Sequence, residues 1–445
     1  MRKCGRIRRR PVPKNIVIVG GGLAGLAASI YLARAGRTVT LFEKRRFLGG
    51  RAVTNLRHGY RFNLGAHAFY RAGAGAAVYR ELGIPVRGLP AKPKSIALLG
   101  DKELTLPTNW FSMLTTSLLS LRGKANLMSA LWHVRRHGGT RAGAITLREW
   151  MDAHLTDARA REVFEAIARL ATYADRIADC SASLVLAHLR VALRGVIYVD
   201  EGWQKIVDSL HSAAISSGVN FVSSSRIVGV QHDGEVRAVE LGGLEVDADR
   251  MDTQALAYPE QRPEDVDGAR LPAQTVILAV DPATAAELAG DAGKSWVGAQ
   301  PVTAACLDVA LRSLPNPKRL FALGIDKPLY FSVHSAFAQL TPKGGALIHL
   351  VKYGASNPRT DESALEALLD EMQPGWREVL VHRRFLPSMT VTNALPTPNA
   401  PRPSPVTSVR GLYIAGDWVG DEGLLSDASL ASAKAAAKAI LASAE

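Results

Sequence analysis

The chain has 445 residues, 47% of them hydrophobic, and a formal net charge of +13. That length exceeds one ordinary domain and supplies a sizeable core, so two interlaced domains are expected. No uninterrupted run of about 18 apolar residues is present, which argues against a spanning helix. The cysteines, Cys4, Cys180 and Cys306, form no C-x-x-C pair and no Cys/His metal spacing, so no metal site is expected and the thiols read as structural.

The first fourteen residues, MRKCGRIRRRPVPK, form a basic tail without an acid. A signal-type apolar stretch with a cleavage site does not follow, so a cytoplasmic protein is expected. No nucleic-acid motif follows either, and no nucleic-acid partner is expected. Ile16 to Val19 then reads as a fully buried parallel strand running into Gly20, Gly21 and Gly22. Gly20, Gly22 and Gly25 have the G-x-G-x-x-G spacing, and the following LAGLAASIYLARA carries a helical apolar pattern that Gly36 ends. A second strand, RTVTLFE, closes in Glu43 beside Lys44.

Each residue has a physical role in that pattern. Gly20 allows the tight turn, Gly22 removes a side chain where a pyrophosphate approaches, and Gly25 lets helix and strand pack closely. Leu23 and Ala24, at the head of the helix, offer free N–H groups and partial positive charge. Glu43 is placed to accept from ribose hydroxyls, and its charge disfavours a 2′-phosphate.

A second glycine pair in LGGR (48–51), followed by GAHA (65–68), suits a longer cofactor whose far half runs past the first turn. Together with GLYIAGDWVGDEGLLSDASLASAKAAA near the end, these stretches resemble the flavin-containing amine oxidase and phytoene desaturase superfamily. The resemblance implies FAD. It implies that Gly49, Gly50 and Arg51 line its phosphates and flavin edge, and that Gly65, Ala66 and His67 lie beside the ring. The backbone at Ile227, within VNFVSSSRIVGV (219–230), is expected to meet the adenine by analogy. Gly416 and Asp417 follow the strand GLYI, with Asp417 placed to accept from ribityl or phosphate-side hydroxyls where most relatives carry glutamate. Leu425 and Ser426 head an alanine-rich last helix whose N–H groups face the flavin edge that gathers negative charge on reduction. His67 offers a covalent flavin link in principle; non-covalent FAD is the expectation.

The implied fold class is α/β: a Rossmann-like FAD-binding domain, a parallel sheet with helices on both faces, built from 1–100, 200–290 and 405–445. A mixed-sheet and helical substrate domain is expected from 101–199 and 291–404. Residues 244–275 read as a polar surface excursion before the strand TVILAV, and LPTPNAPRPSP (395–405) as an ordered connector. Strands are expected at 301–312, 329–336 and 346–354, roofing the flavin, with His334, His349, Lys352 and Tyr353 as polar candidates. Residues 107–137 interleave aromatic and aliphatic residues with Arg122, Lys124, Arg135 and Arg136. Two readings stay open for them: a helix pair packed in a core, or a peripheral contact with a membrane surface.

For the chemistry, an amine substrate calls for an aromatic cage and, in many oxidases, a lysine near the flavin. Trp418 is the one aromatic near the flavin by motif, and Lys352 the candidate lysine, though its context differs from the oxidase pattern. With His67 these form the catalytic candidates. The expected activity is therefore dehydrogenation of an apolar, isoprenoid-like substrate. The alternatives are a flavin amine or amino-acid oxidase releasing hydrogen peroxide, and a redox-neutral isomerase or scaffold. Oligomeric state is left open.

Overall fold

The structure, a computed structural model, describes residues 15–91, 95–242 and 268–443. The basic tail with Cys4 and most of the 244–275 excursion lie outside the described residues. Five parallel strands form one sheet in the spatial order Leu412–Ile414, Thr275–Leu278, Ile16–Val19, Val39–Phe42, Asn220–Val222. The order shows why the chain must return to this sheet twice: its two halves meet at Ile16–Val19, which pairs with Val39–Phe42 on one edge and with Thr275–Leu278 on the other. Alternation along the first strand feeds two cores. Ile16 and Ile18 face a helical layer containing Leu23–Arg34, Gln204–Ser216 and Leu425–Ala442. Val17 and Val19 face the other side. That second side is covered chiefly by an antiparallel sheet of Ile227–His232, Val236–Leu241 and Arg270–Pro272, with one short helix, Pro282–Ala289. A helix thus lies on each face, as expected, the second face being shared with this antiparallel sheet. Asp281 caps the short helix by accepting from the Thr284 N–H at 2.9 Å.

The second sheet has seven strands in the order Leu380–Thr392, Val302–Leu311, Ala346–Tyr353, Leu329–Val333, Phe321–Gly324, Ser95–Leu99, Lys102–Thr105. All neighbours are antiparallel except Phe321–Gly324 and Ser95–Leu99. The three expected roof strands are present and adjacent. Ser95–Leu99 pairs here although residues 1–100 were grouped with the nucleotide segments. Leu380–Thr392 was not expected: it is a polar edge strand interrupted by Pro387, and its register shifts between Ala304 and Cys306 of its neighbour. Proline is tolerated there because an edge strand need not donate on both sides.

The two faces of this sheet differ. Leu307, Val309, Ile348 and Leu350 pack on the helix Pro358–Met372. Cys306, Tyr330, Val351 and Tyr353 share a core with Ala66 and a helical layer that includes Leu121–His137, Ala158–Thr172 and Ala182–Ala192.

Lys352 follows the parity of Ile348 and Leu350, so it lies on the face turned away from Ala66. There it pairs with Asp361 at 2.7 Å, the carboxylate being fully buried. This corrects the reading of Lys352 as a catalytic lysine: one residue of register separates it from the face toward Ala66. Burial raises the Asp361 pKa, but the bonds from Lys352 and Ser356 outweigh it and the net shift is downward. A lowered folded pKa stabilises above the ordinary carboxylate range and loses that contribution as pH falls through the folded value. Lys352→Met is expected to cost about 3 kcal/mol of stability, read by denaturant titration at neutral pH, with the loss shrinking in acid and with flavin affinity unchanged.

Candidate functional site

The three motif glycines have different reasons to be glycine. Gly20 adopts φ 107°, and a Cβ there would lie 2.5 Å from the Ala279 carbonyl oxygen. At Gly25 a Cβ would stand 1.9 Å from the Gly20 oxygen. Gly22 has an ordinary φ of −77°, and a Cβ built on it meets nothing within 4 Å. Neither backbone conformation nor packing asks for glycine at 22, and the space beside it is open. The LGGR stretch closes over the same place: the Gly49 N–H donates to the Gly21 carbonyl at 2.8 Å, Gly49 and Gly50 both have positive φ, and Gly22 bridges Gly49. Leu23 and Ala24 open the helix Leu23–Arg34, whose N-terminus has no side-chain cap. Uncapped N–H groups beside an open glycine cradle fit an anionic diphosphate.

Glu43 closes the cradle at the end of Val39–Phe42. Its carboxylate accepts from the Gly21 N–H at 2.7 Å and from the Arg45 N–H at 2.9 Å, which leaves lone pairs for a further donor. Burial pushes its pKa up against those bonds. Glu43 sits deep in the protein and still keeps accessible surface, as the wall of a cleft does. Lys44 points to solvent. The N–H groups of Ser224 and Ser225 donate to the Arg45 and Glu43 carbonyls at 3.1 and 3.0 Å, so the segment entering Ile227 lies beside Glu43.

The C-terminal elements meet the cradle from the other side. Asp417 is buried and takes three donors: Arg51 at 2.8 Å, the Asn393 N–H at 3.0 Å and the Asn393 amide at 2.9 Å. Arg51 also donates to the Val391 carbonyl at 3.0 Å. Asp417 is thus a clamp joining the LGGR turn, the end of the mixed sheet and the last parallel strand, with little capacity left for the hydroxyls expected of it. Asn393 was missed, because nothing local marks it. Gly416 is held by Ser432, whose hydroxyl accepts from its N–H at 3.0 Å and donates to its carbonyl at 2.9 Å. Leu425 has φ 56°, a conformation unfavourable for a side-chain-bearing residue. It opens the helix Leu425–Ala442, again without a side-chain cap, and Ser426 follows it in the first turn. In the same turn Asp427 accepts from the Gly75 N–H at 3.0 Å, and burial pushes its pKa up to about 7.

Trp418 is 1% exposed. Its indole N–H donates to the Val280 carbonyl at 2.9 Å, and its ring lies 5.8 Å from that of Trp296. It belongs to the core under the parallel sheet, which corrects its reading as the aromatic that faces substrate. Aromatic groups come instead from residues with no motif. Tyr173, in the left-handed region at φ 62°, donates to the Ala66 carbonyl at 3.3 Å, and its ring stands edge-on to Tyr353 at 5.7 Å.

His67 has Nδ1 3.0 Å from the Gly65 carbonyl and its ring 5.3 Å from Trp203; burial lowers its pKa to about 4. Gly65 has φ 84°, in the left-handed region that favours glycine. Behind this turn lies a buried polar group. Asp308 accepts from His349 Nδ1 at 2.6 Å, from the Cys306 thiol at 3.2 Å and from Arg384 Nε at 3.1 Å. The donor atoms of Cys306, Asp308 and His349 lie within 4.8 Å of one another, but protons knit them and the Arg384 guanidinium balances the carboxylate. Of the polar candidates on the roof, His334 and His349 come together here, rings 4.3 Å apart. Asp308, Arg384 and Cys306 were missed as partners, being far apart in sequence.

Comparison with known proteins agrees with this layout. Residues 18–82 match the family model described as an NAD(P)-binding Rossmann-like domain. The L-amino-acid oxidase of Naja atra is 49% identical over 55 residues, 12% of this chain and 11% of that protein. The 4,4'-diapolycopen-4-al dehydrogenase of Metabacillus indicus is 25% identical over 268 residues, 53% of this chain and 54% of that protein. The chain therefore spans between about a tenth and about half of the length of these relatives. Among solved structures, an oxidoreductase from Methanosarcina mazei superposes with a TM-score of 0.74 at 18% identity, over 96% of this chain and 100% of that one. Cyclohexylamine oxidase from Brevibacterium oxydans gives 0.68 at 14%, over 98% and 100%. In fold the chain is similar to these solved oxidoreductases, and over part of its length its sequence is similar to curated amino-acid oxidases and carotenoid dehydrogenases.

Because Gly22 is unconstrained by its own chain, Gly22→Val is expected to fold with an unchanged melting temperature and to lose at least about tenfold in affinity for added FAD. Calorimetric titration and thermal melting check the two halves separately.

Proposed function

We propose that this protein is an FAD-dependent oxidoreductase that takes a hydride from an apolar, isoprenoid-like substrate. The observation that carries the reading is Gly22, a glycine kept where the chain itself needs none. Bound there, FAD supplies a two-electron acceptor for a hydride from carbon. The residues of this chain do the rest. Gly49, Gly50 and the uncapped start of Leu23–Arg34 bind the diphosphate. Glu43 meets a ribose, and Gly65 to His67 support the flavin from the roof side. Asp417, through Arg51, fixes the turn on which the cofactor lies. The uncapped first turn at Leu425 and Ser426 offers N–H groups to developing negative charge. FAD is held non-covalently, consistent with the engagement of His67 Nδ1 by the Gly65 carbonyl.

The face of the roof toward Ala66 is read as the substrate side; Ala304, Cys306, Val351, Tyr353 and Tyr330 lie on it, buried in one core with Ala66. Lys352 is on the opposite face and Asp308 is neutralised by Arg384, so among the described residues of the roof no lysine or free carboxylate is turned to that side for a polar substrate. An amine or amino-acid oxidase releasing peroxide is the second reading, favoured by the edge-on Tyr173–Tyr353 pair, which offers aromatic surface to a cation. Anaerobic mixing of FAD-loaded protein with candidate substrates decides: bleaching of the flavin by polyprenes is expected. Peroxide formed from amines in air overturns the lead, and product change without bleaching points to a redox-neutral isomerase.

The 107–137 segment folds into the helices Trp110–Thr115 and Leu121–His137. Met113, Leu127 and Val134 are buried, while Trp110, Phe111, Leu114, Leu121 and Trp132 are more than half exposed. The segment contains no acid, and its charges are Arg122, Lys124, Arg135 and Arg136. We read this as the face through which a lipophilic substrate is collected, resting on an anionic lipid surface at the cytoplasmic side. No helix among the described residues is long and apolar enough to cross a membrane. Flotation with phosphatidylglycerol vesicles is expected to carry the protein up. Replacing Trp110, Phe111 and Leu121 together by serine is expected to lower partitioning by at least about tenfold. Equal flotation of both proteins removes the lipid contact from the account.

A further inference from the structure

We propose that His349 and Asp308 form a buried proton-accepting dyad that takes up one proton for each electron pair delivered to the bound cofactor. The inference rests on the FAD reading and adds a role for residues that reading leaves idle.

The geometry is that of a base held by an orienting carboxylate. His349 Nδ1 stands 2.6 Å from Asp308 Oδ1, so in the neutral ring Nδ1 carries the proton toward the carboxylate and Nε2 keeps its lone pair. His349 Nε2 is buried without a hydrogen-bond partner, and so is His334 Nδ1 in the neighbouring ring. Buried polar atoms are nearly always satisfied, and two orphans on adjoining imidazoles mark a place with capacity for a proton. Asp308 is fixed as a carboxylate: burial alone raises its pKa, but Arg384 and His349 outweigh that and hold it well below the usual range. The Asp308–Arg384 pair is therefore neutral before uptake, and a proton on Nε2 leaves the group with one net positive charge, which the negative charge gathered by a reduced cofactor would balance.

The chemistry of the proposed reaction requires such a group. Removing hydrogen from two adjacent carbons breaks two C–H bonds and forms one C=C bond. One hydrogen leaves with both electrons as hydride to the cofactor; the other leaves as a proton, its electron pair becoming the new π bond. On a buried, water-poor face of the roof the proton must go to a protein base or travel through one. The groups that face the dyad are His67 on the cofactor turn, His334, Tyr330 and Ser332 on one adjoining strand and its end, Cys306 on the other adjoining strand, Val302–Leu311, Arg384 on the edge strand, and Tyr198, whose ring stacks on His334 at 3.7 Å. Cys306 and the tyrosines are pushed up by burial, and His67 and His334 are pushed down by it. These groups hold their neutral forms around neutral pH and do not contribute the proton themselves.

The test counts protons. The midpoint potential of the FAD-loaded protein is measured by dye-linked reductive titration between about pH 7 and pH 9, and its slope against pH gives protons taken up per electron pair. Two are expected for the wild type and one for His349→Gln, so the slope halves. One proton in the wild type, or an unchanged slope in the variant, overturns the proposal. A purely structural role of the pair would lower the melting temperature and leave the slope alone. Flavin absorbance is recorded in the same cell, so failure to take up FAD is seen separately and strikes the underlying reading. Should His349→Gln not fold, histidine-selective nitrogen-15 NMR of the wild-type apoprotein supplies the readout. A neutral His349 protonated on Nδ1 supports the dyad, and one protonated on Nε2 overturns it.

Discussion

Peptide N–H groups can hold a diphosphate only if nothing stands between them and it, and that constraint shapes the whole molecule. The cradle at Gly22 is open because the turn before it is made by Gly20 and the packing after it by Gly25, each of which would collide with backbone if it bore a side chain. Two uncapped helices, Leu23–Arg34 and Leu425–Ala442, begin in this region. Unsatisfied N–H groups are tolerated at helix ends when a ligand or water completes them. The five-stranded sheet needs strands from the start, middle and end of the chain, and this brings both helix starts to one side of it.

The clamp on Asp417 transmits that geometry to the second sheet. Arg51 from the glycine turn and Asn393 from the end of Leu380–Thr392 converge on one buried carboxylate. Arg384, on the same edge strand, reaches Asp308 and the Asn63 carbonyl, two residues before the turn at Gly65. The edge strand thus ties the roof to the floor at two points. Salt-bridged carboxylates buried this way cost desolvation and are kept by their hydrogen bonds; what they provide here is a fixed separation between the roof and the turn that would carry the flavin. On the face of the roof toward Ala66 the buried side chains are largely apolar or tyrosine, and the charge there is held in the Asp308–Arg384 pair.

How much of this could be read in the sequence followed the range of the interactions. Ile16–Val19, the helix from Leu23 and the last helix were legible because alternation, glycine spacing and alanine periodicity are local signals. The roof strands 301–312, 329–336 and 346–354 were legible from their apolar runs, but not which way their side chains faced. Lys352 looked available in sequence, and its parity with Leu350 sends it to Asp361 instead. Trp418 sat in the right motif, yet Trp296 and the Val280 carbonyl claim its ring and its N–H. Leu380–Thr392 was hidden because an edge strand carries polar residues and a proline. The Asp308–His349–Arg384 group could not be anticipated at all: its members are separated by tens of residues and meet only through the strand register.

The most direct test of the central claim is diffraction from crystals of the protein grown with FAD. The account predicts density for the diphosphate against the N–H groups of Leu23 and Ala24, over Gly22, with the ring running under Gly65 to His67 toward Leu425. A clear map with the cradle filled by solvent, or with the dinucleotide bound elsewhere, contradicts it.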